Sequence, residues 1–261
     1  MNSIINHIKT KILLALLCIA FTACNKENLE AEKAFHVLVN GYNGSGNALE
    51  INIDTTKFGG NNYIIKPVSL IGFGAAYTYH SQGEKSLIIT DMVTKKILFS
   101  KPLPETGTKA NFNFIYVDGH EVEVNPPAVD PETNKLGFYV QYTDNDAPFD
   151  ICIYRKDDNT GNEYRQYLAK DVKPKTWIYV DYVPTADFAD GNLLSRSTIL
   201  FTKAGTTDQW AFQDSEMMSK ISAAGWGLPL AGEKGLVLPY FLIPGSSKLE
   251  YSRLFFTPDR F

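Results

Sequence analysis

Nucleophilic chemistry needs a serine or cysteine beside a base, so those residues come first. Ser45 stands in Gly44-Ser45-Gly46, but a hydrolase elbow needs Gly-x-Ser-x-Gly on a strand-to-helix turn. Cys152 alternates out of phase with Phe149, Ile151 and Ile153, which makes it a small filler on the far face of a strand and not an activated thiol. His36, His80 and His120 have no partner at metal-ligand spacing. The oxygen-rich run from Asp157 to Glu163 could offer Asp157, Asn159 and Glu163 to calcium. It lacks the twelve-residue order that ends in a bidentate glutamate, and Asp and Asn also dominate hairpin turns. Asp144-Asn145-Asp146 is a second acidic loop, and two such loops at one pole could share an ion. Acids abound, yet no spacing singles out a facing pair for glycoside hydrolysis. The expectation is a protein that is not an enzyme and holds no cofactor beyond a covalent lipid, with calcium as the one metal to consider.

The aromatics carry more information. Trp177, Trp210 and Trp226, with Tyr179, Tyr182 and Tyr240, all fall in the last third of the chain. Sugars stack their C–H faces on such rings, which makes Trp210, Trp226 and Tyr240 candidate glycan-stacking residues. Trp177 and Tyr179 share one face of an apolar strand and read as core. Trp226 lies between Gly225 and Gly227, in a loop where a large ring is either tucked down or offered to a ligand.

Chemistry of another kind is written at the start. Lys9 and Lys11 precede the unbroken apolar run Ile12–Phe21, with no acid before it. A helix of that length rises roughly 15 Å, half a hydrocarbon core, so the run is a signal h-region and not a span. It ends in Phe21-Thr22-Ala23-Cys24, which resembles a bacterial lipobox. The resemblance implies removal of residues 1–23 and acylation of Cys24, palmitate among the chains, with 24–33 as lipidated Cys and tether. Several acyl chains hold a protein to a membrane where one would not. Asn25 after the Cys implies outer-membrane sorting, and Lys26-Glu27 is similar to the surface-export signals of Bacteroidetes-type lipoproteins. Loss of the leader deletes two lysines and no acid, so the remainder is more acidic than the formal net charge of −4. Cys152 is then the only free thiol, and no internal disulfide can form.

The elements that must position these residues alternate with a period of two. Phe35–Val39 and Leu49–Asp54 each place apolar groups at every second position, the mark of strands with one dry face. Asn40–Asn47 between them is turn chemistry throughout. Further strands are expected at Ser86–Thr90, Lys96–Phe99, Asn111–Val117 and Glu121–Val124, with Asp118-Gly119 as a hairpin turn. Pro126, Pro127 and Pro131 interrupt the pattern and mark a linker over 125–135. The opening then returns about a hundred residues on, a degenerate tandem repeat: Phe138-Tyr139-Val140 echoes Phe35-His36-Val37, and Phe149–Ile153 echoes Leu49–Ile53. Units over 34–125 and 136–261 follow. One short helix is expected over Gln213–Ile221, with closing strands at Leu236–Ile243 and Leu249–Phe256.

The opening of each unit, Val37 to Asp54 and Val140 to Tyr154, resembles a family of secreted bacterial sandwich modules of unknown function. That resemblance implies an immunoglobulin- or transthyretin-like sandwich and no activity. The fold class is therefore all-β, as two tandem antiparallel β-sandwich units.

Composition sets the outer bounds. With 261 residues, 44% hydrophobic and 21% charged, the chain is neither disordered nor polytopic. A net charge of −4 offers no footprint for nucleic acid. The expected role is a cell-envelope lipoprotein that binds or adheres without catalysis, its partners a membrane through the anchor and a glycan or an envelope protein. Two alternatives stand beside it: a glycan-binding surface lipoprotein of a polysaccharide-uptake system, and a subunit resembling the fimbrial lipoproteins that assemble by strand donation.

Overall fold

Alternating sequences became strands at most of the expected places, but the strand expected at Glu121–Val124 is reduced to the two-residue His120–Glu121. The computed structural model describes residues 33–57, 63–79 and 84–258; the leader, Cys24, its tether and His80 lie outside the described residues. In the first half the strands are β1 (Lys33–Asn43), β2 (Leu49–Ile53), β3 (Thr56–Lys57), β4 (Ile64–Ile65), β5 (Ser69–Tyr79), β6 (Ser86–Asp91), β7 (Ile97–Pro102), β8 (Lys109–Val117) and β9 (His120–Glu121). In the second they are β10 (Asn134–Val140), β11 (Phe149–Lys156), β12 (Glu163–Val172), β13 (Ile178–Tyr182), β14 (Thr198–Lys203), β15 (Lys220–Ser222), β16 (Val237–Pro244) and β17 (Leu249–Arg253).

These strands make four sheets, and each sheet draws on one half only. The orders are β5-β1-β8-β9 and β3-β2-β6-β7 in the first half, β13-β10-β16-β17 and β12-β11-β14-β15 in the second. The two plans correspond strand for strand, with β4 added beside β2 in the first half. Both sequence echoes fall on matching strands: Phe35 and Phe138 on β1 and β10, Leu49 and Phe149 on β2 and β11. The fold is all-β and of sandwich type.

Pairing departs from a purely antiparallel plan at one place in each half. β1 runs parallel to β8, with Val37 opposite Ala110 and Tyr42 opposite Ile115, and β10 runs parallel to β16, with Phe138 opposite Tyr240. A parallel pair needs a long crossover. Here the chain crosses to the opposing sheet, returns once to lay β5 or β13 beside the first strand, and crosses again before it reaches the parallel partner. Ladders such as β2 with β6 and β11 with β14 are antiparallel.

Each half buries the faces that its alternation marks as dry. Phe35, Val37 and Val39 of β1, Ile51 of β2, Ile89 of β6 and Phe114 of β8 are buried, and Phe99 of β7 meets the Phe114 ring at 5.2 Å between the sheets. In the second half Phe138, Val140, Ile151, Ile153, Phe201 and Tyr240 share one core cluster. The Asp118-Gly119 turn forms as expected, with positive φ at both residues (51° and 83°), the geometry of a tight hairpin turn.

The expected helix over Gln213–Ile221 shrinks to Glu216–Ser219. Gln213 and Asp214 take left-handed backbone (φ 54° and 50°), and Lys220–Ser222 leaves the helix to pair with β14. Ladder hydrogen bonds outweighed a weak local preference. An unexpected helical turn, Gly191–Ser195, is capped by Asp190, whose side chain accepts from the amides of Asn192 and Leu193 and lets Leu194 bury itself. The proline-rich link carries no strand between Glu121 and Asn134. The described parts of Phe35–Tyr77 and Glu84–Phe261 cluster as one compact unit.

Candidate functional site

The matching corners of the two halves meet. β1 closes with Gly41-Tyr42-Asn43, and β10 runs out into Gln141-Tyr142-Thr143. Gly41 has φ +150°, and a Cβ there would stand 1.8 Å from the Phe114 carbonyl oxygen, so only glycine lets β1 lie this close to β8. Tyr42 then reaches out of the first half and stacks on Phe241 of β16 at 5.1 Å. From there a row of rings crosses the outer face of the second half's sheet: Phe241 on Tyr139 at 5.8 Å, Tyr139 against Trp177 at 5.5 Å, and Trp177 on Tyr179 at 5.7 Å. Gly137 has to be glycine beneath this row, because a Cβ would fall 2.4 Å from a carbon of the Tyr179 ring. Ile115, Val117 and Leu254 complete the seam's apolar cluster, and Val122, Val124 and Ile243 pack against it.

Beside the seam lies a cavity of about 210 Å³. Its walls are the ends of both parallel pairs: Tyr42 and Asp118 from the first half, Gln141 to Asp144 from the second, and Gln213 across from them. Gln141 is 6% exposed, and its Nε2 donates to Asp118 Oδ2 at 3.3 Å. Among the described residues its buried Oε1 has no hydrogen-bond partner. Gln213 mirrors this across the cavity, its Nε2 donating to Asp144 Oδ2 at 3.3 Å and its backbone N–H to the Tyr142 hydroxyl at 3.1 Å. The local field is negative. Burial, and behind it the Glu250 charge, pushes the Tyr42 hydroxyl above its ordinary pKa, and burial with the Asp118 charge does the same for Tyr139.

A second, more open groove of about 460 Å³ lies where Leu70, Ile71 and Gly72 approach Tyr251 and Arg253. There Asn40 Nδ2 donates to the Arg253 carbonyl at 3.0 Å, and Asn113 Oδ1 accepts from the Phe255 amide at 2.9 Å. These are the hydrogen bonds that lash the closing segment of the second half to the first.

The residues singled out from sequence fall elsewhere. Trp226 and Tyr240 are fully buried, so neither can offer a ring to a sugar, and the glycan-stacking role expected of them is corrected here. Trp226 stacks on Tyr251 at 4.8 Å and packs against Tyr240 at 4.6 Å, while the Tyr240 hydroxyl donates to the Trp226 carbonyl at 2.9 Å. Glycine on either side lets the loop turn its indole inward, which is the tucked alternative. Trp210 is half-buried, bridged through its backbone to Thr202.

Asp157 Oδ1 accepts from the amides of Asn159 and Thr160, both at 2.9 Å, which tightens the β11–β12 turn and holds the carboxyl below its usual pKa. Glu163 has meanwhile left the loop to open β12, where it faces Arg165 at 3.8 Å. Asp144–Asp146 precedes β11 and Asp157 follows it. The length of that strand separates the two acidic loops, so they cannot share an ion. Cys152 is buried, and desolvation raises its thiol pKa more than Arg165 lowers it, the reverse of an activated nucleophile. No group of three His, Cys, Asp or Glu able to hold a metal occurs among the described residues.

Reading by motif missed Gln141 and Gln213, since amides carry no spacing signature. A signal did exist: Tyr42 and Tyr142 stand at corresponding strand ends.

No protein family model matches the chain, and no curated protein matches it. Among solved structures it is similar to a proposed cell-adhesion protein from Bacteroides uniformis, with 15% identity over 84% of this chain and 96% of that one and a TM-score of 0.30. It is also similar to a family 26 carbohydrate-binding module from Eubacterium rectale in complex with maltoheptaose, with 13% identity over 83% of this chain and 96% of that one and a TM-score of 0.23. Likeness this loose leaves function to be argued from the chain's own residues.

Proposed function

We propose that this chain is a lipid-anchored lipoprotein of the outer membrane, exposed at the cell surface, which acts by binding or adhesion and without catalysis. Its signal is residues 1–23, its acylated residue Cys24, and its tether 24–33, leading into tandem units over 34–125 and 136–261. The observation that carries this reading is Phe21-Thr22-Ala23-Cys24 at the end of a short apolar run, directly ahead of the first strand at Lys33. About nine residues of chain can span at most roughly 30 Å, so the first unit would stand close to the membrane. The corners of both units line the seam cavity, which favours the seam as the recognition site.

Strand donation is less favoured. β1, the strand that processing near Lys26 or Lys33 would free, lies between β5 and β8 with Phe35, Val37 and Val39 buried. A glycan ligand would have to use Trp210 or the groove at Tyr251 and Arg253, since Trp226 and Tyr240 are covered.

The test is metabolic labelling with an alkyne palmitate analogue. Label should enter the wild-type chain and not Cys24→Ala, and added protease should remove the protein from intact cells. An unlabelled wild-type chain would refute the anchor, and with it the placement.

A further inference from the structure

We infer that the seam cavity recognises a guanidinium or alkylammonium group, the end of an arginine or lysine side chain, held between Asp118, Asp144 and Gln141. The inference rests on the binding role proposed above and names its ligand chemistry.

The cavity's charge is unbalanced, with two carboxylates and no cation in its lining. Both side-chain amides in the cavity spend a donor on a carboxylate, Gln141 on Asp118 and Gln213 on Asp144. Each carboxylate therefore keeps its Oδ1, and Gln141 keeps Oε1, which has no partner among the described residues although the side chain is 94% enclosed. The orientation of the Gln141 amide is not arbitrary, because a flip would set its oxygen against Asp118. Both charged groups of the cavity lining are carboxylates, and the buried Gln141 Oε1 adds a neutral acceptor. No Lys, Arg or His lines the cavity.

A ligand that only donates answers this arrangement. Guanidinium and ammonium groups have donors and no acceptor, and hydrogen bonds to a carboxylate are strongest when both partners are charged. A neutral sugar fits less well, since it brings no charge to answer the two carboxylates. A cavity of about 210 Å³ suits a side-chain terminus, whereas a bare calcium ion needs six to eight oxygens at 2.3–2.6 Å.

Isothermal titration of the full-length acylated protein in detergent provides the test, with L-argininamide, acetyl-Gly-Arg-Gly-amide, calcium chloride and maltoheptaose as the probes. Saturable one-to-one binding of either arginine probe is expected, weakening as salt is raised. Asp118→Asn and Asp144→Asn should each weaken it about tenfold, the effect of one lost charged contact. Asn also tolerates the left-handed backbone at position 118, so that variant keeps the turn, and circular dichroism would check the fold. Gln141→Leu should weaken binding in the same direction. The inference is overturned if neither arginine probe binds, if binding survives both carboxylate changes, or if calcium or maltoheptaose binds here and the arginine probes do not. Palmitate labelling and surface exposure would be untouched by that failure, so it is separable from failure of the broader reading.

Discussion

In the first half, the corner after β1 is filled. Asn43 is fully buried there, its Nδ2 donating to the carbonyls of Asn47 and Lys66 and its Oδ1 accepting from the Ser45 amide. In the second half the same corner after β10 stays open: Thr143 and Asp144 are exposed, and Gln213 crosses to meet Asp144. The cores differ in the same spirit. All three tryptophans belong to the second half, where Trp226, Tyr240, Tyr251 and Phe256 form one packed cluster. One strand plan thus serves two ends, a corner sealed by its own side chains and a corner left with unspent polar atoms. A duplicated scaffold needs change only in its loops to acquire a site.

The largest test of this contrast is Trp226→Ala. Its indole is fully buried against Phe138, Tyr240 and Tyr251, and truncation of such a ring costs about 3–5 kcal/mol. Chemical denaturation should show the midpoint falling by a corresponding amount. A loss below about 1 kcal/mol would mean that the second half does not depend on its aromatic cluster.

Next comes the pair Gly41→Ala and Gln141→Ala, two residues that each precede a tyrosine at the end of a first strand. The first forces a Cβ to within 1.8 Å of the Phe114 oxygen at φ +150°. Overpacking and backbone strain together should cost about 3 kcal/mol. The second removes a partly unsatisfied buried amide and should change stability by no more than about 1 kcal/mol. Equal costs would break the contrast between a closed corner and an open one.

The legible part of this molecule was its strands. Alternation in Phe35–Val39 and Leu49–Asp54 reports burial directly, and the echo at Phe138 and Phe149 reports the duplicated plan. What stayed hidden was whatever depends on the partner across a gap. Residues 213–221 carry helix-forming types, yet the waiting edge of β14 captured Lys220–Ser222. Trp226 between two glycines is equally consistent with display and with burial, and Tyr251, which stacks on it, is far along the chain. The seam cavity draws on five separate stretches of chain, and none of them contains a motif by itself.

Alkaline pH should separate the halves less strongly. Burial raises the hydroxyl pKa of both Tyr179 and Tyr182 to about 12, and both sit on β13. The folded state therefore favours the neutral phenol. Its contribution is whole below pH 10, the ordinary value, and is lost as pH climbs toward 12. For Tyr182, 2% exposed, the loss is up to about 3 kcal/mol across that window. Thermal melts from pH 9 to 12 should fall, led by near-ultraviolet signals of the second half's tryptophans.

The smallest effect distinguishes two buried tyrosines of that half. The Tyr240 hydroxyl donates to the Trp226 carbonyl at 2.9 Å, whereas the Tyr182 hydroxyl has no hydrogen-bond partner among the described residues. Tyr240→Phe strands a buried carbonyl and should cost about 1 kcal/mol. Tyr182→Phe removes a hydroxyl that burial has already stripped of water, so its stability near neutral pH should hold or rise by up to about 1 kcal/mol. The same variant should also lessen the decline between pH 10 and 12, because one of the two titrating tyrosines of β13 is gone. A destabilised Tyr182→Phe that keeps the full alkaline decline would place the sensitivity at a group other than Tyr182 and overturn the contrast between the two tyrosines.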